Sequence, residues 1–175
     1  MTLLQGDREY LRRLEQSDLE RTLQWVNDPD VFLMMGTFGP RTSAAQDQWY
    51  RSVAVSSENL VFAVCLRKDD RHIGNVSLFD IDFRNRNAGL TVVLPETDHQ
   101  GQGLGREAVA LLCDYAFSYL NLHRVYCKTD NVHAEKMYSR LGFTREGCLR
   151  QQAYHSGQYI DKIIYGILRN EFTRT

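Results

Sequence analysis

The chain carries only three prolines in 175 residues, and no Pro-, Gly- or Ser-rich linker, internal repeat or low-complexity stretch. Nothing therefore marks a domain boundary, and residues 1–175 read as a single domain, long enough to bury a core without staples. No apolar run approaches the eighteen or so residues that span a bilayer. No basic tract occurs, and the net charge is -1, which excludes nucleic-acid binding carried by bulk charge. The four cysteines form no CxxC pair and the five histidines no HExxH, so no metal site is expected. Cys65, Cys113, Cys127 and Cys148 lie inside helix-like or strand-like segments and read as small buried hydrophobes of a reducing compartment. The opening MTLLQGDREYLRRLEQSD turns polar after four residues, unlike a signal peptide; the expected location is the cytoplasm.

What is present is a regular alternation of helix and strand patterns. REYLRRL reads as a first strand. SDLERTLQWV opens with a capping box, Ser17 with Glu20, and places Leu19, Leu23 and Val26 on one face. NDPDV stops that helix, because Pro29 biases Asp28 away from helical geometry. VFLMMGTFGP, residues 31–40, reads as an apolar loop suited to a pocket wall. TSAAQDQWYRSV repeats the capping device with Ser43 and Gln46. NLVFAVCL and HIGNVSLFDIDF then form an antiparallel hairpin about RKDDR. AGLTVVLP is a further strand, followed by a glycine loop and a helix over 104–120 with Leu104, Ala108, Leu111, Tyr115 and Tyr119 at helical spacing. HRVYCKT, the helix NVHAEKMYSRLGF ended by Gly142, and a hairpin about HSG close the chain. The strand–helix–strand in the middle predicts a right-handed parallel crossover, and the whole a mixed α/β sheet with helices packed on it.

The loop QGQGLGRE carries the chemistry. Glycines at 101, 103 and 105 let a backbone approach a phosphate, and a helix start supplies free N–H groups and a positive dipole end. A P-loop needs GxxxxGK[ST], but Arg106 and Glu107 follow Gly105. A dinucleotide loop needs GxGxxG after a first strand, whereas GxGxG stands here behind several antiparallel strands.

Gln100-x-x-Gly103-x-Gly105 resembles the Q/R-x-x-G-x-G/A loop of the GNAT acyltransferases. Nearly all of the chain is similar to the branch of ribosomal-protein and spermidine N-acetyltransferases: LRRLEQSDLERTLQWVNDPDV, HIGNVSLFDIDFRNRNAGLTVVL, NVHAEKMYSRLGFTREGCLR and GQYIDKIIYGILRNEF each match a block. The resemblance implies a mostly antiparallel twisted sheet flanked by helices, with the parallel crossover at the acetyl-CoA site. It also implies acetyl transfer from acetyl-CoA to an amine by direct attack. Backbone of Thr91, Val92, Val93 and Leu94 would pair with the pantetheine arm, and a Val92 or Val93 amide would meet the thioester oxygen. Gln100, Gly101, Gln102, Gly103, Leu104, Gly105 and Arg106 would hold the pyrophosphate. Asn131 would reach the arm, or only cap its helix. Tyr138, seven residues on, would donate to the leaving thiolate.

In one respect the chain departs from the branch. Many members carry Glu where Ala88-Gly89 stands, so the base that takes the acceptor's proton is open among Asp80, Asp82, His155 and water. Asp80 and Asp82 alternate along one strand and are expected to share a face. The acceptor stays open among polyamines, protein N-termini, amino sugars and other small amines, and Asp28, Asp30, Asp80 and Asp82 are the carboxylates a polyamine would need. The alternative function is an acyl-CoA sensor without turnover. Many members dimerise, but no sequence feature fixes an interface.

Overall fold

The computed structural model describes residues 4–35, 39–95 and 101–173. Eight strands build one sheet: β1 (Leu4–Gln5), β2 (Glu9–Arg13), β3 (Leu60–Leu66), β4 (His72–Asp82), β5 (Asn87–Val93), β6 (Arg124–Thr129), β7 (Thr144–His155) and β8 (Gln158–Leu168), in the spatial order β1-β2-β3-β4-β5-β6-β8-β7. All neighbours are antiparallel except β5 and β6, which are parallel. The mixed sheet with one crossover is the expected one. A parallel pair cannot be joined by a tight turn, so the chain leaves β5, runs through α4 (Leu104–Ser118) and returns as β6.

At β3 both faces of the sheet are covered. The strand is buried along its whole length. Leu60, Phe62, Val64 and Leu66 pack into the cluster that includes Leu104, Ala108 and Leu111 of α4. Val61, Ala63 and Cys65 face the other way, toward Trp49, Tyr50 and Val53. Those belong to α3 (Ser43–Ala54), which with α1 (Leu19–Asn27) and α2 (Pro29–Met35) lies before β3 in the chain. The period-two pattern of a strand thus feeds two layers at once. Each fully buried aliphatic side chain contributes roughly 1.5–3 kcal/mol. The α4 stripe ends earlier than its spacing suggests: Tyr115 packs on Phe62 edge-on, but Tyr119 caps the helix and is exposed.

Several local expectations change. The turn before α1 uses Glu15 and Asp18, not Ser17 and Glu20: the Glu15 amide donates to the Asp18 carboxylate at 2.8 Å. Asp18 is fixed there because both its oxygens also accept from the Arg12 guanidinium at 2.7 Å. α3 is capped one residue earlier than read, by Thr42, whose hydroxyl accepts from the Ala45 amide at 3.2 Å. Residues 31–35 belong to α2 rather than to a loop. Pro29 occupies its first turn, where a missing N–H is harmless, and the Asp28 carboxylate accepts from the Asp30 amide at 2.9 Å. Residues 36–38 of that segment lie outside the described residues. Three cysteines are buried as expected, but Cys148 is exposed, on strand β7 at the sheet edge.

Candidate active site

The parallel pair does not run the length of its strands. Asn87, Ala88 and Gly89 pair with Arg124, Val125 and Tyr126, and the ladder stops there, although β5 continues to Val93 and β6 to Thr129. The two strands splay, and backbone of residues 91–94 borders the opening. Along β5 the side chains divide by parity. Val92 and Leu94 pack toward α4, whereas Thr91 and Val93 line a cavity on the opposite face.

The glycine loop lies at the mouth of this opening. Gln100 lies outside the described residues. Gly101 and Gly103 have φ of +74° and +81°, the left-handed region that a side chain disfavours. Gly103 is the cap residue of α4 and offers no side chain to the first turn. Helix hydrogen bonding there begins with the Glu107 amide donating to the Gly103 carbonyl, so the amides of Leu104, Gly105 and Arg106 precede the first intrahelical bond. Gly105 differs from its neighbours. A β-carbon there would lie 3.4 Å from Leu94 and 3.5 Å from Met137, an ordinary contact, so this position closes the wall between helix and strand rather than opening space.

Sequence reasoning missed Arg8, which braces the loop. Its guanidinium donates to the Gln102 carbonyl at 2.7 Å and to Glu107 at 3.1 Å, while its own amide donates to Glu107 at 2.9 Å. Glu107 also adds negative charge in the first turn of α4, where the helix dipole favours it. No local pattern links residues 8 and 102. A cleft of about 600 Å³ opens beside Arg8, bordered by Arg67, Lys68, Gln102 and Leu104; none of its described lining residues comes from β5 or β6.

On the other side of the opening lies α5 (Val132–Arg140). Asn131 caps it: the side-chain oxygen accepts from the amides of His133 and Ala134 at 2.8 and 3.4 Å. Tyr138 is 4% exposed and packed against Phe143 and Tyr165, close to the Cys127 thiol of β6. Burial, reinforced by Cys127, holds the phenol well above its ordinary pKa. Tyr138 is therefore a neutral donor at any working pH. The same burial pushes Cys127 up to about 12, which keeps the thiol a thiol.

The candidate bases are not brought together. Asp80 and Asp82 do not share a face as expected. A bulge between Phe79 and Asp82 breaks the alternation, and Asp80 is exposed, with φ of +50°. The Asp82 carboxylate accepts from the backbone amide and side-chain nitrogen of Asn85 at 2.7 and 2.6 Å, and those bonds lower its pKa. His155 lies 3.3 Å from Asp130, which also pairs with Lys162. At Gly89 the place of a β-carbon is filled by the ring of Phe79.

A splayed parallel pair, a glycine-opened helix start and a buried tyrosine on the next helix define a site for a ligand held by backbone. The family model of the acetyltransferase (GNAT) domain matches residues 8–144. An uncharacterized N-acetyltransferase, p20, of Bacillus licheniformis is 30% identical over 98% of this chain and 99% of its own length. The spermidine N(1)-acetyltransferase of Escherichia coli (strain K12) is 28% identical over 95% of this chain and 84% of its own. The crystal structure of spermidine N-acetyltransferase from Vibrio cholerae in complex with CoA and spermine superposes with a TM-score of 0.89 at 26% identity, covering 95% of this chain and 98% of that one. The chain belongs to the GNAT acetyltransferase family. Among the described residues no helix is long and apolar enough to cross a membrane, and no group of three metal-ligating side chains is assembled.

Proposed function

We propose that residues 1–175 act as one N-acetyltransferase domain that moves an acetyl group directly onto a primary amine. The acyl donor is acetyl-CoA, the family's cosubstrate. The observation that carries the reading is the splay of β5 from β6 between the α4 start and Tyr138.

Each residue then has a task that its surroundings support. Backbone of Thr91, Val92, Val93 and Leu94, paired with β4 on one side as far as Val93 but not with β6 past Gly89, pairs with the amides of the pantetheine arm as an added strand does. A Val92 or Val93 amide meets the thioester oxygen as it gains charge. Gly101, Gln102, Gly103, Leu104, Gly105 and Arg106, with Gln100, receive the pyrophosphate on free amides at a positive dipole end. Asn131 commits its oxygen to capping α5, so only its side-chain nitrogen serves a carbonyl of the arm. Tyr138 donates a hydrogen bond to the departing sulfur. A free phenol and thiol have pKa values of about 10 and about 8.5, and burial raises that of Tyr138 further, so it stabilises the thiolate without surrendering its proton.

The acceptor arrives as an ammonium of pKa about 10.4, and neutralising it at pH 7 requires roughly 4–5 kcal/mol. Phe79 occupies the place where many relatives carry Glu, and Asp82 is engaged by its own turn. Water therefore takes the proton, with no carboxylate base among the described residues. Polyamines, which the Escherichia coli and Vibrio cholerae relatives acetylate by name, stand among the candidate acceptors with protein N-termini, amino sugars and other small amines.

Incubation with acetyl-CoA and an amine panel, reading thiol release, tests this. Turnover of at least one amine is the expected result. Tight CoA binding with no turnover on any amine would replace the transferase with an acyl-CoA sensor.

A further inference from the structure

The cavity that Thr91 and Val93 line lies on the sheet face away from α4 and Tyr138, and the proposed transfer assigns it to the acceptor. It has a volume of about 180 Å³. Trp25, Val26, Trp49, Val61, Val93 and Pro95 supply its apolar walls, and among the described lining residues there is no carboxylate. A cavity of about 150 Å³ lined by apolar side chains accommodates one benzene ring, so the space suits a ring-sized group.

Arg41 is the single ionised side chain among the described lining residues. It is fixed in place. Its amide donates to the Asn27 side-chain oxygen at 2.6 Å, and the Asn27 nitrogen donates back to its carbonyl at 2.9 Å. Its guanidinium donates to Gln46 at 3.2 Å, and Gln46, only 2% exposed, donates to the Thr22 hydroxyl at 2.9 Å. None of the described carboxylates pairs with Arg41. The carboxylates that a polyamine would need are elsewhere: Asp28 binds its own helix start, Asp82 its own turn, and neither they nor Asp30 and Asp80 line the cavity.

We infer that the acceptor is a monoamine on an apolar, ring-sized body rather than a polyamine. This rests on the transferase reading above and names the substrate class of that same site. A polyamine entering here would bring at least one further ammonium into a space whose described lining residues offer it a fixed guanidinium and no counter-charge, so desolvation and Coulomb repulsion both oppose it. A tryptophan face attracts a cation, but the attacking amine must be neutral, and two rings offer no paired hydrogen bonds to a chain of ammonium groups. Apolar walls, by contrast, reward a body that leaves water and holds one nitrogen toward the splay.

The test uses the full-length protein with saturating acetyl-CoA and two acceptor series: phenethylamine, tryptamine and isoamylamine against putrescine, spermidine and spermine. The expected result is a kcat/KM for phenethylamine at least about ten-fold above that for spermidine. Trp49→Ala should raise KM for phenethylamine about ten-fold with kcat held within about two-fold, and Arg41→Glu should raise kcat/KM for spermidine by about ten-fold while lowering none of the CoA affinity read by calorimetry. Wild-type preference for polyamines, or an Arg41→Glu variant that keeps CoA affinity and gains nothing on spermidine, overturns the inference and leaves the transferase intact. If no amine turns over, the transferase reading falls instead, and calorimetry of phenethylamine and spermidine on the CoA-loaded protein still reads the preference: tighter spermidine binding overturns it.

Discussion

The ring of Phe79 lies across Gly89, filling the place where a side chain on β5 would begin. The two residues are cross-strand partners, and Phe79 also meets Tyr126 of β6 edge-on, with ring centroids 6.2 Å apart. An aromatic ring over a glycine is compact and excludes water. It also means that position 89 cannot carry a carboxylate unless the ring leaves.

Gly89→Glu should therefore destabilise the protein by roughly 1–3 kcal/mol, through overpacking against Phe79. Combining it with Phe79→Ala frees the space, so the double variant should be more stable than the sum of the two single losses by about 1 kcal/mol or more. Urea unfolding of the four proteins measures the coupling. Strict additivity would show that the ring and residue 89 do not compete.

Tyr138→Phe keeps the ring packing against Phe143 and removes only the hydroxyl. A group that helps the departing sulfur should cost kcat about 10²-fold while CoA affinity stays within about two-fold. Equal losses in both would make Tyr138 a binding residue. Burial raises its pKa above the ordinary phenol value, so the wild-type pH–rate profile should show no Tyr138 limb at or below about pH 10.

The three loop glycines should not respond alike. Gly103→Ala places a side chain at φ of +81°, which costs roughly 1–2 kcal/mol and re-aims the amides of the α4 start; melting temperature should fall by a few degrees and CoA affinity by about ten-fold. Gly105→Ala meets Leu94 and Met137 only at ordinary contact distance, so both quantities should change little. A thermal melt and a CoA titration separate the two.

Glu9 gives the stability a pH dependence of its own. It is wholly buried, and neither carboxylate oxygen has a hydrogen-bond partner among the described residues. Burial first, and the nearby Glu107 second, push its pKa up from 4.5 to about 8, against a smaller lowering by Arg8. Between those two values the folded protein holds a proton that the unfolded chain releases. Stability contributed by this group is therefore present below about pH 4.5, is lost as pH rises toward 8, and is flat above. At about 1.4 kcal/mol per unit of displacement, the loss amounts to a few kcal/mol. Glu9→Gln should be nearly neutral at pH 4.5 and increasingly stabilising toward pH 8. Denaturation across that range decides it; a gain independent of pH would show that the carboxyl does not titrate there.

Features set by neighbours in the chain were legible in the sequence. The hairpin of β3 and β4, the crossover through α4, the Asn131 cap and the helix start behind the glycine loop all follow from hydrogen bonds and side-chain periods spanning a few residues, so their signals stay within a short window. The cap of α3 slipped by one residue because Thr42 and Ser43 offer the same hydroxyl, and only the backbone decides which one faces the amide of Ala45. Arg8 against Gln102, and Arg41 against Gln46 and Thr22, join distant segments by single polar contacts that no periodicity announces.

Register decided the rest. Continuing the pairing of Asp82 with Asn87 without interruption would set Asp80 opposite Gly89, on the face where Thr91 and Val93 line their cavity. One inserted residue, marked by Asp80 in the left-handed region, shifts the ladder so that Phe79 stands there instead and Asp80 turns to solvent. The residues of the glycine loop were sufficient, by themselves, to announce free amides at a helix start, because that signal is local. Whether an acid or a ring stands opposite Gly89 depended on a bulge. A one-residue shift exchanges which side chain faces which strand, and its energy is settled by packing across the sheet, not by the order of residues within it.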